Sequence, residues 1–244
     1  EIGSGLVGSE MCIRDRLNLQ QYHFLIELIS RQLHKDAYGE YTVQSLYYDT
    51  ENQLLTRRSI EKPEYKEKLR LRSYGLADKH QDVFLEIKKK VQGVVYKRRI
   101  ALPEEKAQSF IYGVNLQASG QIEKEIAYFK RMYPSLRPYI LILYDRTAFS
   151  GKDLRITFDK NIRYRQDGLR LDKDLSGIPM LEDNQVLMEI KTGYALPLWL
   201  VKSFSEYQIY KTNFSKIGQA YKLIYTKEET QWNIYLNPSL QIQN

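Results

Sequence analysis

The chain opens its readable pattern at Asn18, where Leu19, Tyr22, Leu25, Ile26, Ile29 and Leu33 recur at helical spacing behind a residue able to cap a helix. The period then changes to two. Thr42 to Tyr48 reads as a strand, and Thr50 is placed to cap a short helix through Leu55. Two strands follow, Lys66 to Tyr74 and Asp82 to Lys90, joined by a polar turn around Gly75 to Gln81, and Gly93 turns the chain into Val94 to Ile100. Pro103 stands at the first turn of a helix reaching about Tyr112, and Ile122 to Tyr133 predicts another, closed by Pro134. Strands resume at Tyr139 to Phe149, turn at Ser150, Gly151 and Lys152, and continue from Leu154 to Arg165, with Val186 to Thr192 the last. Helices over Pro197 to Phe204 and Phe214 to Tyr225 complete the order. Hairpin-sized strands with helices between them make one antiparallel α+β domain, and about eight strands suffice to close a small barrel.

The polar half of the alternation is unusual. Lys66, Lys68, Arg70 and Arg72 alternate through one strand, with Leu69 and Leu71 on the other face. Phe84, Glu86, Lys88 and Lys90 alternate against Val83, Leu85 and Ile87, and Lys97, Arg99, Arg155, Glu189 and Lys191 extend the pattern to three more strands. Successive strand side chains point to opposite faces, so each strand gathers its charges on one side. The ordinary explanation is the solvated face of an antiparallel sheet. Such a face mixes Thr, Ser, Gln, Glu and Lys, whereas here Arg and Lys dominate, and the planar fork of Arg suits phosphate. If the strands share a sheet that curls, Leu69, Leu71, Leu85, Ile87 and Ile156 face outward against helices, and the cations face a common space able to hold a polyanion.

Composition sharpens this. The 244 residues are 43% hydrophobic and 27% charged, enough for a real core. A net charge of +7 implies an anionic partner: nucleic acid, membrane surface, nucleotide or phosphate polymer. Cys12 is the only cysteine, which excludes a disulfide framework and fits a reducing compartment, so a cytoplasmic location is expected. With His23, His34 and His80 scattered, no Cys/His zinc site assembles. No apolar run approaches the roughly 18 residues of a membrane span. Phosphate-loop, dinucleotide and kinase signatures are missing, and no Ser or Cys has a nucleophile's setting. Tyr74 and Tyr96 stand beside basic residues and are able to stack bases, although their strand positions favour a core or edge role.

The strings SLYYDT (45–50), EKLRLRSYG (67–75), FLEIKKK (84–90), YKRR (96–99), LYDRTAF (143–149), LRITFDKNIR (154–163), MEIKTG (188–193) and NFSKIGQAY (213–221) occur in an order that resembles the VTC domain of vacuolar transporter chaperone proteins, in its stand-alone bacterial form. That domain belongs to the triphosphate tunnel metalloenzymes, the CYTH-like superfamily. The resemblance covers roughly residues 17–225 and implies a tunnel of antiparallel strands lined by basic residues and glutamates. It implies a polyphosphate polymerase passing the ATP γ-phosphate to a growing chain with Mn²⁺ or Mg²⁺. The alternatives are a metal-dependent triphosphate or polyphosphate hydrolase, or a non-catalytic module binding polyphosphate or inositol phosphates.

By that resemblance Arg70 and Arg72 grip phosphates, Lys88, Lys97, Arg146 and Arg155 line the tunnel, and Glu189 ligates the metal, with Glu86 a second candidate. Lys68, Lys191 and the Ser215–Lys216 pair on the closing helix are further phosphate-binding candidates. The implied partners are ATP and inorganic polyphosphate, with a membrane-associated protein as a further partner and no specific nucleic acid. One departure stands out. Family members open with a strand like Glu-x-Lys-Tyr, whereas this chain has MCIRDR at that place. Residues 1–16 resemble translated adapter sequence and are expected to be non-native and poorly packed, which predicts a chain lacking its first tunnel strand. The tail from Lys227 has weak pattern and no assigned role.

Overall fold

Asn18 caps the first helix as its position predicts. Its side-chain oxygen accepts from the Gln21 backbone N–H at 2.8 Å, and the Gln21 side chain accepts from the Asn18 N–H at 3.0 Å. This helix, α1 (Leu19–Ser30), follows a strand, β1 (Met11–Asn18). The computed structural model describes residues 11–61, 63–113 and 120–236. Residues 1–10 of the suspected foreign segment and 237–244 of the tail lie outside the described residues.

The chain continues through β2 (His34–Asp49), α2 (Leu54–Glu61), β3 (Tyr65–Tyr74), β4 (Asp82–Val91) and β5 (Val94–Pro103). After these come α3 (Glu104–Tyr112), α4 (Gln121–Met132), β6 (Arg137–Ser150) and β7 (Leu154–Arg165). The last elements are β8 (Ile178–Pro179), β9 (Gln185–Thr192), α5 (Leu198–Glu206) and α6 (Lys216–Leu236). Two elements exceed their sequence reading. Helix α2 starts later than expected and runs on to Glu61, because the buried Asp49 carboxylate, more than Thr50, caps it. Asp49 accepts from the N–H groups of Leu55 and Thr56, both at 2.9 Å. Helix α6 runs past Lys227, since a formed helix adds residues at one hydrogen bond each without needing an apolar stripe.

The strands form one antiparallel nine-stranded sheet in the order β1-β9-β7-β6-β2-β3-β4-β5, with β8 paired to β7. The opening strand is in place: β1 pairs with β9 from Met11 opposite Thr192 to Asn18 opposite Gln185. Residues 13–18 are therefore not loosely packed, contrary to the sequence expectation; Asp15 and Leu17 are buried. The sheet curls without closing, because among the described residues no ladder joins β1 to β5. Both edge strands carry cations on the inner face, Arg14 and Arg16 against Lys97 and Arg99, and like charges brought abreast oppose pairing.

The curl shows in its electrostatics. On a flat sheet Lys88 of β4 and Glu189 of β9, five strands apart in the order, would be separated by roughly 24 Å. That is more than twice the screening length of about 10 Å at 0.1 M salt. Yet the charges of Arg14 and Lys191 lower the Lys88 pKa and that of Glu189 raises it, so the two halves of the sheet face each other.

The convex face is apolar, as the alternation predicts. Leu69, Leu71, Leu85 and Ile87 pack against α3 and α4 through Ala107, Ile111, Ile126 and Phe129. Ile156, Phe158, Met188 and Ile190 pack against α1 and α5 through Leu25, Ile29 and Leu200. Each such side chain contributes about 1.5–3 kcal/mol. The concave face is divided. Val43, Tyr47, Ile140, Ile142 and Tyr144 bury an apolar strip under Phe214, Ile217, Ala220 and Ile224, so α6 and the turn leading into it lie inside the curl. The rest of the concave face is charged.

Candidate functional site

Strand alternation and register assemble the charged lining. Lys68, Lys88 and Lys97 stand abreast on β3, β4 and β5. One step along, Arg70, Glu86 and Arg99 form the next row. Across the curl Arg146 opposes Asp159, Arg155 opposes Lys191, and Arg14 opposes Glu189. Three lysines in line are unfavourable in a sheet, since like charges directly opposite repel. Among the described residues neither Lys68 nor Lys88 has an ion-pair partner within 4.0 Å. Burial pushes the Lys68 ammonium down to about 8, with Lys88, Lys66 and Arg70 adding to the effect. Burial likewise lowers Lys88, helped by Arg14 and Arg70. Lys88 is reached by water and yet has protein on most sides, as a side chain in the wall of a trough does.

Three carboxylates supply internal counter-charge. Glu86, 1% exposed, holds Arg70 at 2.5 Å, Lys97 at 3.2 Å and Arg99 at 3.7 Å. Burial alone would raise its pKa, but Arg70, Arg72 and Lys97 outweigh that and hold it at about 2. Asp159 is fully buried, accepts two bonds from Arg146 at 2.7 and 2.9 Å, and binds Lys216 at 2.6 Å. Glu189 accepts from Arg14 at 2.8 Å and lies 3.9 Å from Lys191. Against its burial, Arg14, Lys216 and Lys191 hold it well below the usual carboxylate range. Tyr47 donates no charge of its own at neutral pH, yet its hydroxyl accepts from Arg70 at 3.3 Å. Burial pushes its phenol up, and Arg70, Lys68 and Arg72 bring it down to about 8.

Three polar atoms in the lining are buried without a hydrogen bond among the described residues: Arg99 Nε, Thr157 Oγ1, and Glu86 Oε1, which only the ion pairs to Lys97 and Arg99 reach. Thr157 stands opposite Glu189, so that carboxylate and hydroxyl are adjacent hard oxygen donors. Among the described residues no group of three or more His, Cys, Asp or Glu gathers to hold a metal. The donors therefore fit a divalent cation that brings its remaining ligands as phosphate oxygens and water, the usual mode for Mg²⁺.

The sequence-predicted residues fall into three groups. Lys68, Arg70, Arg72, Glu86, Lys88 and Lys97 come together on β3 to β5, with Arg72 buried and bonded to Ser45 and Tyr144. Arg146, Glu189, Lys191 and Lys216 face them across the curl. Arg155 sits at the rim, exposed, bonded to Asp36 at 2.7 Å and to Ser150. Ser215 is exposed and accepts from the Gly218 N–H at the start of α6, a capping contact. Arg99, already part of the sequence alternation, completes the lining with Asp159 and Arg14, which were not singled out from the sequence. Arg14 also reaches the Phe214 carbonyl at 3.3 Å, and its own carbonyl accepts from Thr212 N–H at 2.7 Å, tying β1 to the approach to α6. A separate hollow lined by Leu19, Lys160 and Glu182 lies outside this lining and gathers no comparable charge.

A curled antiparallel sheet with a cationic concave face and an inserted helix defines the class: this is a CYTH-like triphosphate tunnel fold. It matches a candidate adenylate cyclase from Bacillus halodurans with a TM-score of 0.56 at 11% identity, covering 85% of this chain and 94% of that one. It also matches a candidate adenylyl cyclase from Hippeastrum, described as having a dominant triphosphatase activity, with a TM-score of 0.50 at 14% identity, covering 84% and 93%. Within that class the chain belongs to the VTC domain family, whose model matches residues 13–225. No curated protein matches the chain. Among the described residues no helix is long and apolar enough to cross a membrane.

Proposed function

We propose that this domain binds the triphosphate of ATP in its cationic trough and passes the γ-phosphoryl group to the end of a polyphosphate chain. The observation that carries this reading is the row Lys68, Lys88 and Lys97, two of them without an ion-pair partner among the described residues. A fold maintains such repulsion when an anion relieves it. In the reaction a terminal phosphate oxygen of the growing chain attacks the γ-phosphorus. A new P–O–P link forms as the bond to the β–γ bridging oxygen breaks, and ADP leaves with that electron pair. Charge builds on the oxygens in flight, and cations already fixed in place meet it without reorganising. Arg70 and Arg72 are held by Glu86, Ser45 and Tyr144, and Arg146 by Asp159, so their forks are oriented before the substrate arrives. Glu189 with Thr157 would hold a Mg²⁺ or Mn²⁺ ion, which when bound neutralises phosphate charge.

The attacking phosphate oxygen is already ionised, so no base is needed. Water as acceptor must lose a proton, and Glu86, held at about 2, is a poor base for it. A hydrolase reading has one observation of its own: Lys68, at about 8, is neutral in part of the population near neutral pH. Incubating the full chain with ATP and Mn²⁺, then resolving products by gel and phosphate assay, separates the readings. A polyphosphate ladder with matching ADP supports the polymerase. Orthophosphate in its place supports the hydrolase, and binding without turnover supports a sensing module.

A further inference from the structure

One feature of the lining is left unused by phosphate. Where the first half of β2 meets the end of β3 and the start of β4, four aromatic rings run in succession. Tyr38 meets Tyr41 at 6.3 Å between centroids and 77°, Tyr41 meets Tyr74 at 5.7 Å and 73°, and Tyr74 meets Phe84 at 5.5 Å and 65°. The Arg99 guanidinium lies 3.5 Å from the Phe84 ring centroid, and its Nη2 donates to the Tyr74 hydroxyl at 3.5 Å. Register ties these rings to the phosphate-gripping arginines: Tyr41 stands opposite Arg146 and Phe84 opposite Arg72.

Only part of this row joins the core, Tyr41 packing against the apolar strip under α6. Tyr38 is 83% exposed and Tyr74 38%, whereas Phe129 and Phe158 under the helices are buried. Arg99 covers Phe84, so the open surface of the row belongs to Tyr38 and Tyr74, and the arginines behind them mark where phosphates end.

The geometry points to a nucleobase platform at this rim, with Tyr74 as its stacking face, so that the trough selects a nucleoside triphosphate over inorganic triphosphate. Arginines hold the phosphates within, and the base lies outward against the rings. Stacking of this kind tolerates any base, because every base has a π face, so ATP and GTP are both accepted. The inference rests on the triphosphate-binding reading above and adds the identity of the ligand's other end.

Calorimetric titration of the full chain with ATP and with inorganic tripolyphosphate, both in EDTA to prevent turnover, tests it. Tyr74→Ala should weaken ATP binding about 5- to 150-fold, the range of one base stack, and leave tripolyphosphate binding unchanged. Tyr74→Phe should keep the preference, since the ring and not the hydroxyl is at work. Unaltered tripolyphosphate binding also certifies that the alanine variant is folded. If Tyr74→Ala leaves ATP binding intact, or weakens both ligands equally, the platform is overturned while the phosphate trough stands. If the parent chain binds neither ligand, the triphosphate reading itself fails, and the platform with it.

Discussion

Asp159 offers the most direct measure of how the trough is held together. It is fully buried and is shared by Arg146 and Lys216, whose side chains are only 17% and 13% exposed. Asp159→Asn keeps the shape and removes the charge, leaving two largely buried cations facing each other. Removing one partner of a buried ion pair costs about 3–5 kcal/mol. For a domain of this size each kcal/mol moves the melting temperature by about 2–4 °C, so a fall of about 6–20 °C is expected. The sign with pH follows from the depressed Asp159 pKa, which burial opposes and Lys216 and Arg146 enforce. Its contribution is present above the unfolded value of about 4 and is lost as pH falls through the folded value, so parent and variant should converge in acid. Tripolyphosphate should raise the melting temperature of the variant more than that of the parent, because the ligand returns the missing negative charge. Thermal melts by circular dichroism, with and without tripolyphosphate, read all three effects. A variant melting within about 2 °C of the parent at pH 7 would refute the counter-charge role.

Tripolyphosphate affinity should respond to the Lys68 proton: between pH 7 and 9 the parent loses that charge as pH passes about 8, whereas Lys68→Arg keeps it, so the affinity ratio of variant to parent rises with pH. Glu189→Gln should abolish metal-dependent turnover of ATP while metal-free tripolyphosphate binding survives; full activity in this variant returns Glu189 to a plain partner of Arg14. Single-stranded DNA at equal phosphate should compete poorly for labelled polyphosphate at fixed salt, because α6 and the curled walls admit a phosphate chain more readily than a strand carrying bases at every unit; strong competition would favour an open basic groove.

Much of this was legible in the alternation. Period two placed Lys68, Arg70, Lys88 and Lys97 on one face and Leu69, Leu71, Leu85 and Ile87 on the other, and the helices cover the second face. What period cannot carry is register. Asp159 sits alone in ITFDKN and reads as a solvated residue until β7 is aligned with β6, which sets it opposite Arg146. The stripe of Phe214, Ile217, Ala220 and Ile224 says that α6 is buried but not that it is buried inside the curl. Closure is equally invisible, since it depends on whether edge strands far apart in sequence meet. Tyr74 and Tyr96 look alike in the sequence, yet register puts Tyr74 beside the arginines and Tyr96 on the face opposite Lys97 and Arg99. Arg14 lies in the segment that resembles translated adapter sequence, and only its pairing with Glu189 brings it into the lining.

The pairing of β1 with β9 has a consequence for how the domain acquires its shape. Arg14 and Glu189 are 175 positions apart, and closing a loop of that length from an open chain costs about 4–5 kcal/mol of entropy. The meander β3-β4-β5 closes short loops and meets no such barrier, so it is suited to nucleate first. Until β1 docks, β9 presents an unpaired edge carrying Val186, Met188 and Ile190, a template for pairing with another molecule. Glu189 and Lys191, alternating with those apolar residues, blunt that hazard during the wait. The described strand that leaves the ribosome earliest is thus the one whose ladder is completed last.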